Sequence, residues 1–181
     1  MNKYPVFIML LVFLYLVSCS QKEEVQAGKS FGEDLAFLKN HLQNTIVLSR
    51  SDSSAMLILS PEYQGRVMTS TANGFNGNSF GWINYELIES GEILTQINPV
   101  GGEERFWLGP EGGQFSFYHK PSQPFEFSNW KVPAALDTDP FEVVSFSANS
   151  VKFEKQMELK NYSGYEFKIG VQREVKLLTN K

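Results

Sequence analysis

The chain has 181 residues, with 16 basic against 20 acidic side chains and a formal charge of −4. That balance excludes a basic footprint for nucleic acid, and one cysteine with two histidines speaks against a zinc cluster or a cysteine-pair redox centre, so neither metal nor cofactor is expected. Aromatic content is the outstanding feature, with 15 Phe, 7 Tyr and 3 Trp in a length that calls for no more than one domain.

Residues 6–17 are almost wholly apolar and follow Met1-Asn2-Lys3. The segment suits the h-region of a signal peptide and falls short of the roughly 20 residues a membrane-spanning helix needs. Leu16-Val17-Ser18-Cys19 resembles the bacterial lipobox, with an aliphatic residue three before the cysteine and a small one just before it. The resemblance implies that residues 1–18 are removed and that Cys19 carries a diacylglyceryl thioether and an acylated amine, so a lipid bilayer is a partner. At about 0.8 kcal/mol per buried methylene, two or three chains anchor a protein stably. Cleavage would also move the formal charge from −4 to −5, since residues 1–18 hold one lysine and no acid. Ser20-Gln21-Lys22-Glu23-Glu24 is similar to the acidic export tag of Gram-negative lipoproteins, which implies the outer membrane and its exterior face; the same residues also suit a solvated linker over 19–29.

A domain is expected over 30–181. Ser30-Phe31-Gly32-Glu33 has the form of a capping box, and Phe31, Leu35, Leu38 and Leu42 fall on one face of the helix it would start. His41 then sits at the helix end, where its charge suits the dipole. Everything after residue 44 reads as strand and turn. Thr45–Arg50, Ala55–Leu59 and Gln64–Thr71 are short apolar or β-branched runs, with turn signals at Asn73-Gly74 and Asn76-Gly77-Asn78. Val151, Phe153, Met157 and Leu159 alternate with polar residues, and Tyr165, Phe167, Ile169, Val171, Val175 and Leu177 do the same after Asn161-Tyr162-Ser163-Gly164, which predicts a long hairpin with one buried face. Lys155 and Arg173 interrupt that face and are expected to snorkel at an edge. The fold class is mainly β, an antiparallel β-sandwich with one short N-terminal helix. The chain stops three residues beyond the last strand, which suggests a sheet completed by a partner or by a further C-terminal half.

Chemistry concentrates between two glycine pairs, in Gly101-Gly102-Glu103-Glu104-Arg105-Phe106-Trp107-Leu108-Gly109-Pro110-Glu111-Gly112-Gly113-Gln114. Glycine permits close approach of backbone to a ligand, and Trp107 with Glu103, Arg105, Glu111 and Gln114 offers the mixture of aromatic face and polar groups that holds sugars. The alternative is an irregular connection in which Arg105 and Glu111 pair with each other. Trp82 and Trp130 are expected in the core.

Gln64-Gly65-Arg66-Val67, Ser79-Phe80-Gly81-Trp82-Ile83-Asn84, the 101–114 loop and Trp130-Lys131-Val132-Pro133 together resemble an uncharacterised family of bacterial lipoproteins related to the galactose-mutarotase-like β-supersandwich. The resemblance covers roughly residues 30–178, the N-terminal half of such proteins. It implies a carbohydrate ligand and, for an enzyme, an aldose 1-epimerase-like isomerase. Such chemistry needs a base at the anomeric hydroxyl and an acid at the ring oxygen. Glu103, Glu104 or Glu111 would supply the base and His119 the acid, with Arg66 or Arg105 orienting hydroxyls. This chain departs from the family in lacking the histidine-glycine-glycine signature, because Lys120-Pro121 follow His119. Two other functions stand beside the enzyme: a non-catalytic glycan-binding protein, and a structural fragment with no activity.

Overall fold

The computed structural model describes residues 29–178, so the expected signal peptide over 1–18, the lipidation site Cys19 and all but the end of the 19–29 linker lie outside the described residues. The first element among the described residues is helix α1 (Phe31–His41), and its capping box is formed: Ser30 N donates to Glu33 Oε2 at 2.8 Å and Glu33 N to Ser30 Oγ at 3.3 Å. His41 lies exposed at the helix end, as expected, with Nδ1 2.8 Å from the Phe37 carbonyl.

The protein is mainly β. Strands β1 (Ile46–Ser49), β2 (Met56–Ser60) and β3 (Arg66–Thr71) form one antiparallel sheet in that order, and β4 (Glu142–Phe146), β5 (Ser150–Lys160) and β6 (Glu166–Lys176) form a second. The continuous apolar character of β1 and β2 has a direct cause: their sheet is covered on both faces. Ile58 and Met68 meet Phe31, Leu35 and Leu38 of α1 in one buried cluster, while Leu48 and Leu59 meet Val151, Phe153, Met157 and Leu159 of β5 in another. The order of layers is thus helix, sheet, sheet. The predicted hairpin is β5–β6, in unbroken register from Ser150↔Lys176 to Lys160↔Glu166. The β4–β5 ladder shifts register between Val143 and Ser145, and all of β4 is exposed.

Three expectations are corrected. Two short helices, α2 (Tyr85–Ser90) and α3 (Ala134–Asp137), stand where only strand and turn were expected. Six and four residues are too few to show a helical period, although the Asn84 side chain, which accepts from Leu87 N at 3.2 Å, and the left-handed Gly91 mark both ends of α2. Arg173 and Lys155 do not merely snorkel: Arg173 pairs with Glu104, and Lys155 Nζ lies 3.4 Å from Asp139 Oδ2. Trp82 is 62% exposed and is no core residue.

Between the sheets, Gly65 (φ 64°) lies so close to Phe153 that a Cβ there would sit 2.6 Å from the ring. Phe153→Ala empties a fully buried site on this contact and is expected to cost about 3–5 kcal/mol. In urea unfolding the midpoint falls and the slope is unchanged; a loss under 1 kcal/mol contradicts the packing described.

Candidate functional site

The 101–118 loop is held against the end of β3 by a charged network. Glu103 N donates to the Val67 carbonyl at 2.8 Å, and Val67 N donates to Glu104 Oε1 at 2.9 Å, so the loop extends the strand edge. Arg66, 2% exposed, donates through Nη1 to the Gly101 carbonyl at 2.6 Å and through Nη2 to Gln64 Oε1 at 3.0 Å. Gln64 Nε2 continues to the carbonyls of Phe106, at 3.1 Å, and Leu136. Arg105 pairs with Asp137 at 2.6 Å, and Asp137 also accepts from Asn98 N at 3.0 Å and Nδ2 at 2.8 Å. Burial, and then the neighbouring Arg105, push the Arg66 guanidinium down to about 10, still charged at neutral pH. The Nε atoms of Arg66, Arg105 and Arg173 are buried without a hydrogen-bond partner among the described residues.

These contacts revise the sequence expectations. Arg66 and Arg105 are brought together, but as interior structure rather than as groups free to orient a ligand. Arg105 does not pair with Glu111; its partner Asp137 ends a helix too short to be recognised and lies 32 residues away. The Gly101-Gly102 pair serves close approach to the protein itself, since a Cβ would meet Trp82 O at 2.2 Å and Arg66 Cδ at 2.4 Å respectively. Glu103 is exposed, and its neighbour Glu104 is the engaged carboxylate. Gln114 contributes its backbone carbonyl, which accepts Ser163 N at 3.0 Å and Ser163 Oγ at 2.8 Å.

Beyond Arg105 runs a row of stacked rings. The Arg105 guanidinium lies 4.5 Å from the Trp107 ring centre, Trp107 stacks on Tyr118 at 5.0 Å, Tyr118 on Trp130 at 5.7 Å, and Trp130 on Phe127 at 6.0 Å. Trp107 donates its indole N–H to Glu111 Oε1 at 2.9 Å. It is half-buried and already engaged by a guanidinium, a phenol and a carboxylate, so the open platform is the far end of the row, Phe127, 73% exposed. Sequence reasoning missed Phe127; its only signal was the aromatic density of Pro124-Phe125-Glu126-Phe127-Ser128-Asn129-Trp130. Tyr118 is buried, its hydroxyl donates to the Leu108 carbonyl at 2.6 Å, and burial pushes it up to about 12.

Next to the platform is a pocket of about 510 Å³, lined by Tyr118, His119, Lys120, Gln123, Ser128, Asn129 and Lys131 among others. His119 is buried edge-on against Phe125, ring centres 4.9 Å apart, and its Nδ1 has no partner among the described residues. No carboxylate lines this pocket, and Glu111 accepts from the Trp107 indole instead. Among the described residues, no group of three or more His, Cys, Asp or Glu side chains is disposed to hold a metal ion.

A model for a family of unknown function, DUF6786, matches residues 29–181. No curated protein and no solved structure matches the chain.

Two predictions follow from the network and the stacked row. Asp137→Ala strands Arg105 and is expected to cost about 3–5 kcal/mol in urea unfolding; removing Arg105 as well should add little, and additive losses would mean the pair is not coupled. For Tyr118 the folded value lies above the ordinary 10, so its contribution to stability is complete below pH 10 and is lost as pH rises through about 12. The fall in melting temperature over that interval is expected to be shallower in Tyr118→Phe than in the native chain; equal slopes would show that the phenol is not buried in its neutral form.

Proposed function

We propose a function from the site itself, because the chain belongs to DUF6786, a family of unknown function: it is a carbohydrate-binding lipoprotein, anchored through Cys19 in the outer membrane and facing the exterior, and it binds its ligand without turning it over. The observation that carries this reading is the row from Arg105 to Phe127, which ends in an exposed ring, with the next two residues, Ser128 and Asn129, lining a pocket of mixed apolar and polar walls. An aromatic face covers the C–H surface of a sugar, and a ring fixed from behind by three others loses little entropy when it is covered. Amide and hydroxyl side chains at the pocket, Gln123, Asn129 and Ser128, suit the hydroxyl groups. The resemblance of Gly65-Arg66-Val67 to the opening strands of mutarotases points to the same ligand class.

Binding is favoured over epimerisation by the different surroundings of the acid and base candidates. Anomerisation needs both within reach of one sugar ring, whereas His119 lines a pocket without carboxylates and Glu111 accepts from the Trp107 indole.

The test is a saccharide screen on the full chain, followed by intrinsic tryptophan fluorescence, with polarimetry on the same sugars. A saturable response is expected, weakened about tenfold by Phe127→Ala, with no acceleration of mutarotation. Acceleration abolished by Glu111→Gln or His119→Gln would establish the isomerase instead, and absence of any saturable response would remove the carbohydrate reading. For the anchor, incorporation of labelled palmitate in a bacterial host is expected in the native chain and not in Cys19→Ser.

A further inference from the structure

The pocket beside Phe127 is cationic in a chain that is acidic overall. Lys120, Lys131 and Lys160 line it together with His119, and no Asp or Glu does. The fold assembles this charge from three segments, with Lys160 at the end of β5. Lys131 N donates to the Tyr118 carbonyl at 2.8 Å, which sets 130–132 beside 118–120. The turn at Lys120–Gln123 closes with Gln123 N on the Lys120 carbonyl at 3.3 Å, with Ser122 in the left-handed region (φ 66°). The Tyr162 hydroxyl fixes the far side of that turn by donating to the Gln123 carbonyl at 3.1 Å.

Lys160 is partnered by Glu166 at 2.7 Å. Lys120 and Lys131 have no ion pair among the described residues, and they face a hollow that also holds the unpartnered, 7% exposed His119. Like charges gathered in a concave wall repel one another, and an anion entering between them relieves that repulsion and gains charge-assisted hydrogen bonds. A lysine ammonium suits a carboxylate approached from several directions, and the volume lies within the range of small-ligand sites.

We propose that this pocket receives the carboxylate of an acidic sugar, so that the glycan resting on Phe127 contains hexuronic acid. Lys120 and Lys131 supply the charge, Gln123 and Asn129 meet neighbouring hydroxyls, and Phe127 covers the adjoining ring. The assignment rests on the carbohydrate reading of the platform and narrows it to one substrate class.

The experiment compares three probes on the full chain by titration calorimetry: an oligogalacturonate, its carboxyl-reduced neutral counterpart, and inorganic sulfate. The oligogalacturonate is expected to bind at least about tenfold more tightly than the neutral form, and the gap should narrow as salt is raised. In Lys120→Gln with Lys131→Gln the ratio of the two Kd values should fall to about one; both side chains are exposed, so an unaltered melting temperature certifies the fold. Equal affinity for the two oligosaccharides in the native chain overturns the acidic-sugar assignment and leaves the carbohydrate reading intact. Binding of neither oligosaccharide overturns both, and a sulfate signal lost in the double variant would then identify the pocket as a site for a small free anion.

Discussion

The interior position of Arg66 is the constraint on which the other parts depend. A guanidinium in an apolar interior is costly unless its donors are met and opposite charge is near. The chain meets that demand with the Gly101 carbonyl, the Gln64 amide and the carboxylates of Glu104 and Asp137. The partners come from three segments, so satisfying one arginine fixes the path of the 101–108 loop, the end of α3 and, through Glu104 and Arg173, the sheet of β4–β6. Buried ion pairs add less stability than their number suggests, but they penalise alternative arrangements, because displacing any member leaves another uncompensated.

The stacked rings inherit their position from that network. Arg105 belongs to both: its guanidinium pairs with Asp137 and lies against Trp107. The row therefore starts at a fixed cation and ends at solvent, with Tyr118 and Trp130 as intermediate planes. A surface ring on an irregular segment would ordinarily sample several orientations. Here Phe127 stands on a 3₁₀ turn with Trp130 beneath it, and Trp130 is held in turn by two hydrogen bonds from its own N–H to the carbonyls of Glu126 and Phe127. The ring is thus supported from behind although the site is built almost wholly on loops.

Local regularities were legible in the sequence and distant partnerships were not. The Phe31-Leu35-Leu38 stripe, the Ser30 cap and the alternation of β5 and β6 each declare themselves within a few residues, because helix and strand impose periods that burial makes visible. The charged loop stands out in the sequence as a concentration of charge and aromatic rings. What it contacts could not be read. Glu104 and Glu103 are adjacent and chemically alike, and only the direction of the strand edge decides which one turns inward. Arg173 looked like an intruder in an apolar row because its partner lies 69 residues earlier. Trp82 was assigned to the core from its type alone, whereas the Gly101-Gly102 backbone takes the space beside its carbonyl and the indole is left outside. The open ring of the row is Phe127 and not Trp107 for a similar reason: an aromatic residue that supports other aromatics is indistinguishable, in one dimension, from one that offers its face.

The register shift in β4 bears on how the molecule behaves when crowded. Val143, Val144 and Phe146 leave an outer strand with apolar side chains on both faces, and such a strand is a template for edge-to-edge pairing between molecules. A bulge between Val143 and Ser145 breaks the strand into two short runs, so an approaching chain cannot form a continuous ladder with it. That strand thereby retains an oily margin without offering a continuous ladder to a neighbouring molecule.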